Sequence, residues 1–320
     1  MLKKPIQLEE IAGFHIGGAL CMLSGFPSPQ RFKNDGAHMV GQMYAQHFKL
    51  ARPRIQTPVA LWHGGGLTGA SWETTPDGRS GWLDIFLKEG FSAYLCDAFE
   101  RGRASMPPPP ALSELPEYRS LESIWHHFRF GPANANDAEI LQRPLKAAYS
   151  GQQFPVESLL AFGRQFAPRL INSEQESMAA YAEFLKLVNG CYVVGHSQGG
   201  AFAVKGAIAH RSLIRAVVAL EPPITEELIA DLECDAGSQM PPHLFIFGDY
   251  IHGVNSTWEV YLSNAERYCQ LLKERGVECQ LIELPAIGIH GNSHMLQMDS
   301  NSNEIAKLVI AWLSALEKSQ

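Results

Sequence analysis

The sequence predicts an α/β fold, a mostly parallel central sheet with helices on both faces, in one domain broken by an insertion. Three observations predict it. Short runs are apolar throughout and rich in β-branched residues, at 57–62 (T-P-V-A-L-W), 192–194 (Y-V-V), 216–220 (A-V-V-A-L) and 243–247 (H-L-F-I-F); such runs suit strands covered on both faces. Helical patterns alternate with them, which is the order of a parallel sheet with crossover helices. From 105 to 171 the periodicity lapses, and a four-proline run, Pro107 to Pro110, opens a stretch with an aromatic cluster.

Residues 10–50 read as strands. Residues 11–23 are apolar, with Gly17-Gly18 as the expected turn of a hairpin, and 39–48 alternates as another strand. The buried strand at 57–62 runs into a glycine-rich loop, His63 to Gly69. Residues 81–90 form a helix ended by glycine, Phe91–Asp97 the next strand, and Arg101-Gly102-Arg103 follows it. Asp97 is expected to cap a turn, Arg101 and Arg103 to pair with local carboxylates, and His63 to anchor its loop. The segment 105–171 holds Trp125, His126, His127, Phe128 and Phe130. A segment this long inside a compact domain is expected to be a cap over the site, and its aromatic content argues against disorder. His126 and His127 are adjacent and point to different sides, so they make a poor metal pair. Ser173 to Glu176 and Ser256 to Glu259 both match S-x-x-E capping boxes that open helices. Strands follow at 215–220, at 243–247 and at 279–284, and 303–316 is an amphipathic closing helix.

The stretch from Cys191 to Gly200, C-Y-V-V-G-H-S-Q-G-G, carries the chemistry. A buried strand meets G-x-S-x-G and then an apolar helix face, the context in which this pattern presents a nucleophile. The turn is tight enough that Gly195 and Gly199, two before and two after the serine, need almost no side chain. Ser197 is lifted clear of the sheet, and the N–H of Gln198 points at the same spot from a helix N-terminus. The loop His63-Gly64-Gly65-Gly66 lacks both phosphate-loop patterns and fits a second oxyanion donor, supplied from Gly65 and Gly66.

A serine needs a base, and the base needs a carboxylate. The glycine-rich loop after the last strand offers His290 and His294; His294 is favoured because it immediately precedes the apolar M-L-Q-M turn and the closing helix. Two carboxylates end strands at the same sheet edge. Glu221 follows the first strand after the serine, next to Pro222-Pro223, and Asp249 follows the second.

Net charge is −7 and no basic run exists, so nothing suggests a nucleic-acid surface. The six cysteines form no C-x-x-C pair, which leaves no zinc signature and no disulfide framework. No stretch approaches the roughly 18 apolar residues of a membrane span. Glu9, Glu10 and His15 break a signal-peptide reading, so the chain as given reads as cytoplasmic, although a mature secreted form would look the same.

The runs H-G-G-G-L-T-G, S-W-E-T-T-P-D-G-R-S-G-W, F-L-K-E-G-F, D-A-F-E-R-G-R-A-S, G-H-S-Q-G-G and A-L-E-P-P together resemble a serine-esterase branch of the α/β-hydrolase superfamily. The resemblance covers about residues 10–315 and is weakest in the cap. It implies an α/β-hydrolase fold, which with the cap insertion read at about 105–171 gives a single domain over 1–320. It also implies a catalytic set of Ser197, His294 and Glu221, with Gly65, Gly66 and Gln198 at the oxyanion hole. It implies no cofactor and no metal. The expected partner is a small-molecule ester, with a homodimer left open. The cap aromatics suggest an apolar acyl or alcohol group. Two other uses stay open: other chemistry on the same residues, such as amide or C–C hydrolysis, acyl transfer or lyase chemistry, and a non-enzymatic receptor on this fold.

Overall fold

The computed structural model describes residues 5–27, 34–235, 237 and 239–319. Eight strands form one sheet: β1 (Leu8–Leu23), β2 (Gly36–Leu50), β3 (Ile55–Trp62), β4 (Phe91–Asp97), β5 (Cys191–His196), β6 (Ile214–Leu220), β7 (His243–Phe247) and β8 (Cys279–Glu283). Their order is β1-β2-β4-β3-β5-β6-β7-β8. The first two strands pair antiparallel with each other and β2 with β4, while β4 through β8 run parallel.

Helices cover both faces, as continuous apolar strands require. On one face lie α6 (Glu174–Val188), α7 (Gln198–Ala209), α8 (Glu226–Cys234) and α9 (Ser256–Glu274), in one buried cluster with Val193, Val217 and Phe245. On the other lie α1 (Trp82–Lys88) and α10 (Ser302–Ser319), in a cluster with Tyr192, Val194, Val218 and Ile246. Successive residues of β5 and β6 alternate between these clusters, so one apolar run feeds two cores. The remaining short helices, α2 (Leu121–His127), α3 (Asp137–Gln142), α4 (Pro144–Ala147) and α5 (Leu159–Gly163), all fall in 105–171. They bury a third cluster of their own, Ile124, Trp125, Phe128, Phe130, Phe154 and Phe162, together with Leu67, Met295 and Met298.

Three local expectations need correction. Gly17-Gly18 is not a hairpin turn. Both sit inside β1 with φ of 74° and 81°, opposite Gly41 at 96°, and the pairing skips Gly18. The two residues lie in register within one long strand, Gly17 opposite Gln42 and Ala19 opposite Val40, and the partner in the hairpin is β2. Neither S-x-x-E run acts as a capping box. The Ser173 hydroxyl donates to Glu100 Oε1 at 3.1 Å instead of capping α6. In α9 the cap is Asn255, whose Oδ1 accepts from Trp258 N–H, and Glu259 takes the N–H of Gly253 at 2.5 Å.

Candidate active site

The parallel strands bring their carboxyl ends to one edge, where a doubly covered sheet opens a crevice. Ser197 follows β5 and precedes α7. Its φ of 52° and ψ of −120° are strained for a residue with a side chain. The surrounding space shows why the sequence reads glycine there. A Cβ on Gly195 would stand 2.3 Å from Gly199 O, and one on Gly199 would stand 2.5 Å from His63 O. Ser197 and Gln198 keep partial solvent access while the flanking residues are buried.

The loop after β3 packs against this turn. A Cβ on Gly64 would lie 3.1 Å from Ser197 Cβ, and one on Gly65 would lie 3.2 Å from Gln198 Oε1. Gly66 sits one step further out, its carbonyl taking the N–H of Ala167 at 2.9 Å. Two anchors hold the loop. His63 Nε2 accepts from Ala98 N–H at 3.0 Å while Nδ1 donates to Gly64 O at 2.9 Å. Asp97 accepts from Gly69 N–H at 2.6 Å and from Arg103 Nε at 2.7 Å. Arg101 pairs with Glu100 at 2.9 Å, so both arginines have local carboxylate partners.

Glu221 follows β6 directly and has a positive φ of 52°. Its carboxylate is completely buried. Oε1 accepts from Arg129 Nη2 at 2.6 Å and from Gly248 N–H at 2.5 Å, and Oε2 lies 3.4 Å from His294 Nδ1. Asp249 is engaged elsewhere. It accepts from Tyr250 N–H at 2.7 Å and Gly291 N–H at 2.9 Å, and His290 Nδ1 lies 3.7 Å away. The structure therefore pairs His294 with Glu221 and His290 with Asp249, and brings Ser197, Gln198, Gly64, Gly65, Glu221 and His294 to one edge.

His294 is 1 % exposed. Its N–H donates to Phe128 O and its carbonyl accepts from His196 Nε2, both at 2.9 Å. Trp258, Phe128 and His127 surround the ring at centroid distances of 4.3, 5.0 and 6.3 Å. Burial, with His196 and Arg129 nearby, holds the imidazole well below its ordinary pKa, in the neutral form that can accept a proton. Burial pushes the Glu221 carboxyl up, opposed by Arg129 and the Gly248 N–H. Below this pair Asp299 accepts from Asn292, Ser293 N–H and Ser293 Oγ, which braces the His294 loop.

Sequence reasoning missed Arg129 and Trp258. Arg129 lies between Phe128 and Phe130, and a cation flanked by buried aromatics requires a buried anion; that was the available signal. Trp258 carried none, since one aromatic on an amphipathic helix looks like any core residue. Trp125 is buried in the third cluster rather than lining the edge; Phe128 and His127 are the ones that reach His294. Among the described residues no group of three His, Cys, Asp or Glu could hold a metal ion.

Comparison with known proteins agrees with this fold. A solved structure described as a novel bacterial esterase superposes with a TM-score of 0.85 at 29 % identity, covering 98 % of each chain. The chain has the α/β-hydrolase fold. It is also 26 % identical over 317 residues to a probable secreted lipase, phiG, of a fungal species (strain ATCC 74256), covering 85 % of each. No family model matches the sequence. No helix among the described residues is long and apolar enough to cross a membrane.

Proposed function

We propose that this chain hydrolyses carboxylic esters with Ser197 as nucleophile, His294 as base and Glu221 as the acid that orients it. The observation that carries the reading is the 3.4 Å approach of His294 Nδ1 to Glu221 Oε2 beside a serine held at positive φ. The names of the two relatives, an esterase and a probable lipase, support the reaction class.

In this reading Ser197 Oγ attacks the ester carbonyl while His294 Nε2 takes its proton. Negative charge on the carbonyl oxygen is held by backbone N–H groups of Gln198 and of the Gly65–Gly66 region, at the N-terminus of α7. His294 then protonates the leaving alcohol. Water, deprotonated by His294, releases the acid and restores the serine. The buried Arg129 guanidinium favours the charged form of Glu221 against the effect of burial. We propose 105–171 as a cap on a single domain, because its backbone meets the site at two points, Phe128 O with His294 N–H and Ala167 N–H with Gly66 O. A cytoplasmic location is likewise a proposal; secretion is said only of the fungal relative.

A serine-directed fluorophosphonate tests the assignment. It is expected to add once, at Ser197, with parallel loss of activity on a panel of chromogenic esters. Labelling elsewhere, or full activity in Ser197→Ala, would overturn it.

A further inference from the structure

The geometry points to a carboxylate-binding subsite formed by Arg119 and Arg169 beside Ser197, which selects esters carrying a second, free carboxylate, such as half-esters of short dicarboxylic acids. This rests on the esterase reading of the same site.

The two arginines are placed by backbone. Glu117 and Arg169 form an isolated antiparallel bridge, Glu117 N–H to Arg169 O at 2.7 Å and Arg169 N–H to Glu117 O at 3.1 Å. Two residues before the bridge position of Arg169, the N–H of Ala167 ties the same strand to Gly66 O. The bridge thus pins both ends of the cap segment over the glycine loop. Arg169 Nη1 lies 2.6 Å from where a Cβ on Gly65 would stand, the same point that is 3.2 Å from Gln198 Oε1. Arg119 Cδ and Nε lie 3.5 Å from the corresponding point on Gly66, and its guanidinium carbon is 5.6 Å from the centre of the Phe128 ring, which packs on His294. Both guanidinium groups therefore converge on the residues proposed to hold the oxyanion.

Charge balance shows an opening for an anion. Arg169 spends its Nε on Glu117 Oε2 at 2.7 Å and leaves its fork toward the glycine loop. Arg101 is paired with Glu100, and Arg129 with Glu221. Among the described residues Arg119 makes no hydrogen bond and no ion pair. Two cations thus share one carboxylate, and burial together with Arg169 lowers the Arg119 pKa to about 10. A guanidinium held half-buried over an aromatic ring without a carboxylate partner is better balanced when a ligand supplies an anion. The planar fork suits a carboxylate better than a point charge would.

The test uses monoethyl succinate and diethyl succinate, which differ by one charge. In Ser197→Ala protein, calorimetry is expected to find the half-ester bound at least about tenfold more tightly than the diester. Adding Arg119→Met removes that difference, Arg119→Lys keeps part of it, and raised salt weakens it. Thermal melts check that each variant is folded. Equal binding of the two esters, or a difference that survives Arg119→Met, overturns the subsite. Labelling of wild-type Ser197 by the fluorophosphonate is independent of this comparison. A labelled serine without discrimination sinks the subsite alone, and discrimination without labelling sinks the esterase reading alone.

Discussion

Arg129 and Glu221 form an ion pair of 2.6 Å in which both side chains are fully buried, and the other oxygen of the same carboxylate faces His294. A cation from the 105–171 segment and an anion from the sheet thus meet under the proposed catalytic histidine. Deleting one partner leaves the other charge uncompensated.

Arg129→Met is therefore expected to cost about 3–5 kcal/mol of stability and to lower turnover by misplacing Glu221. Urea melts and ester kinetics on the same preparation measure both. A variant as stable as the parent contradicts the role given to this pair.

Glu221→Gln and Asp249→Asn separate the two candidate acids. Removing the residue that holds the histidine tautomer is expected to lower turnover by about 10⁴, while Asp249→Asn costs far less because Asp249 holds backbone N–H groups and His290. Kinetics of the two variants side by side decide it. A severe loss confined to Asp249→Asn reverses the assignment.

The acid limb of the pH–rate profile follows from His294. Its pKa is held well below the ordinary value, chiefly by burial. The base stays neutral on acidification past the point where an ordinary histidine would charge. Half-maximal kcat/KM on a neutral ester is thus expected below pH 6.5, the ordinary histidine value. A limb centred above it would contradict the burial argument.

His243 gives a cleaner linkage because it lies away from the site. It is fully buried, it donates from Nδ1 to Pro241 O at 2.7 Å, and burial lowers its pKa to about 4. The unfolded chain binds a proton between about pH 6.5 and 4 that the folded chain excludes. Its contribution is full above 6.5 and is lost as pH falls toward 4. Replacing it with glutamine is expected to flatten the stability–pH curve in that window by one proton, read from urea midpoints across pH.

Trp125→Ala is expected to act on stability. The ring is 1 % exposed and meets Phe130 edge-on at 5.9 Å inside the third cluster. A loss of about 3–5 kcal/mol is the scale for such a truncation. A stable variant with an altered chain-length profile would show instead that Trp125 lines the pocket.

The sequence by itself determined the α/β architecture and the strand edge. Short β-branched runs buried on both faces and alternating with helices suit a covered parallel sheet, and β4 and β7 begin and end at the expected residues. The tight serine turn was equally legible, because only glycine fits where Gly195 and Gly199 approach backbone atoms. Local pattern misled at Gly17-Gly18 and at the two S-x-x-E runs. There strand pairing of Gly17 with Gln42, or a competing partner such as Glu100, outweighs a preference worth about 1 kcal/mol. Only the tertiary structure decided which carboxylate faces which histidine, since Glu221 and Asp249 end neighbouring strands and their distances to His294 and His290 depend on how the last loop folds back. It alone brought Arg119, Arg129 and Arg169 to the edge. A charge in an aperiodic segment carries no sign of its partner, because that partner is set by long-range packing and not by spacing along the chain.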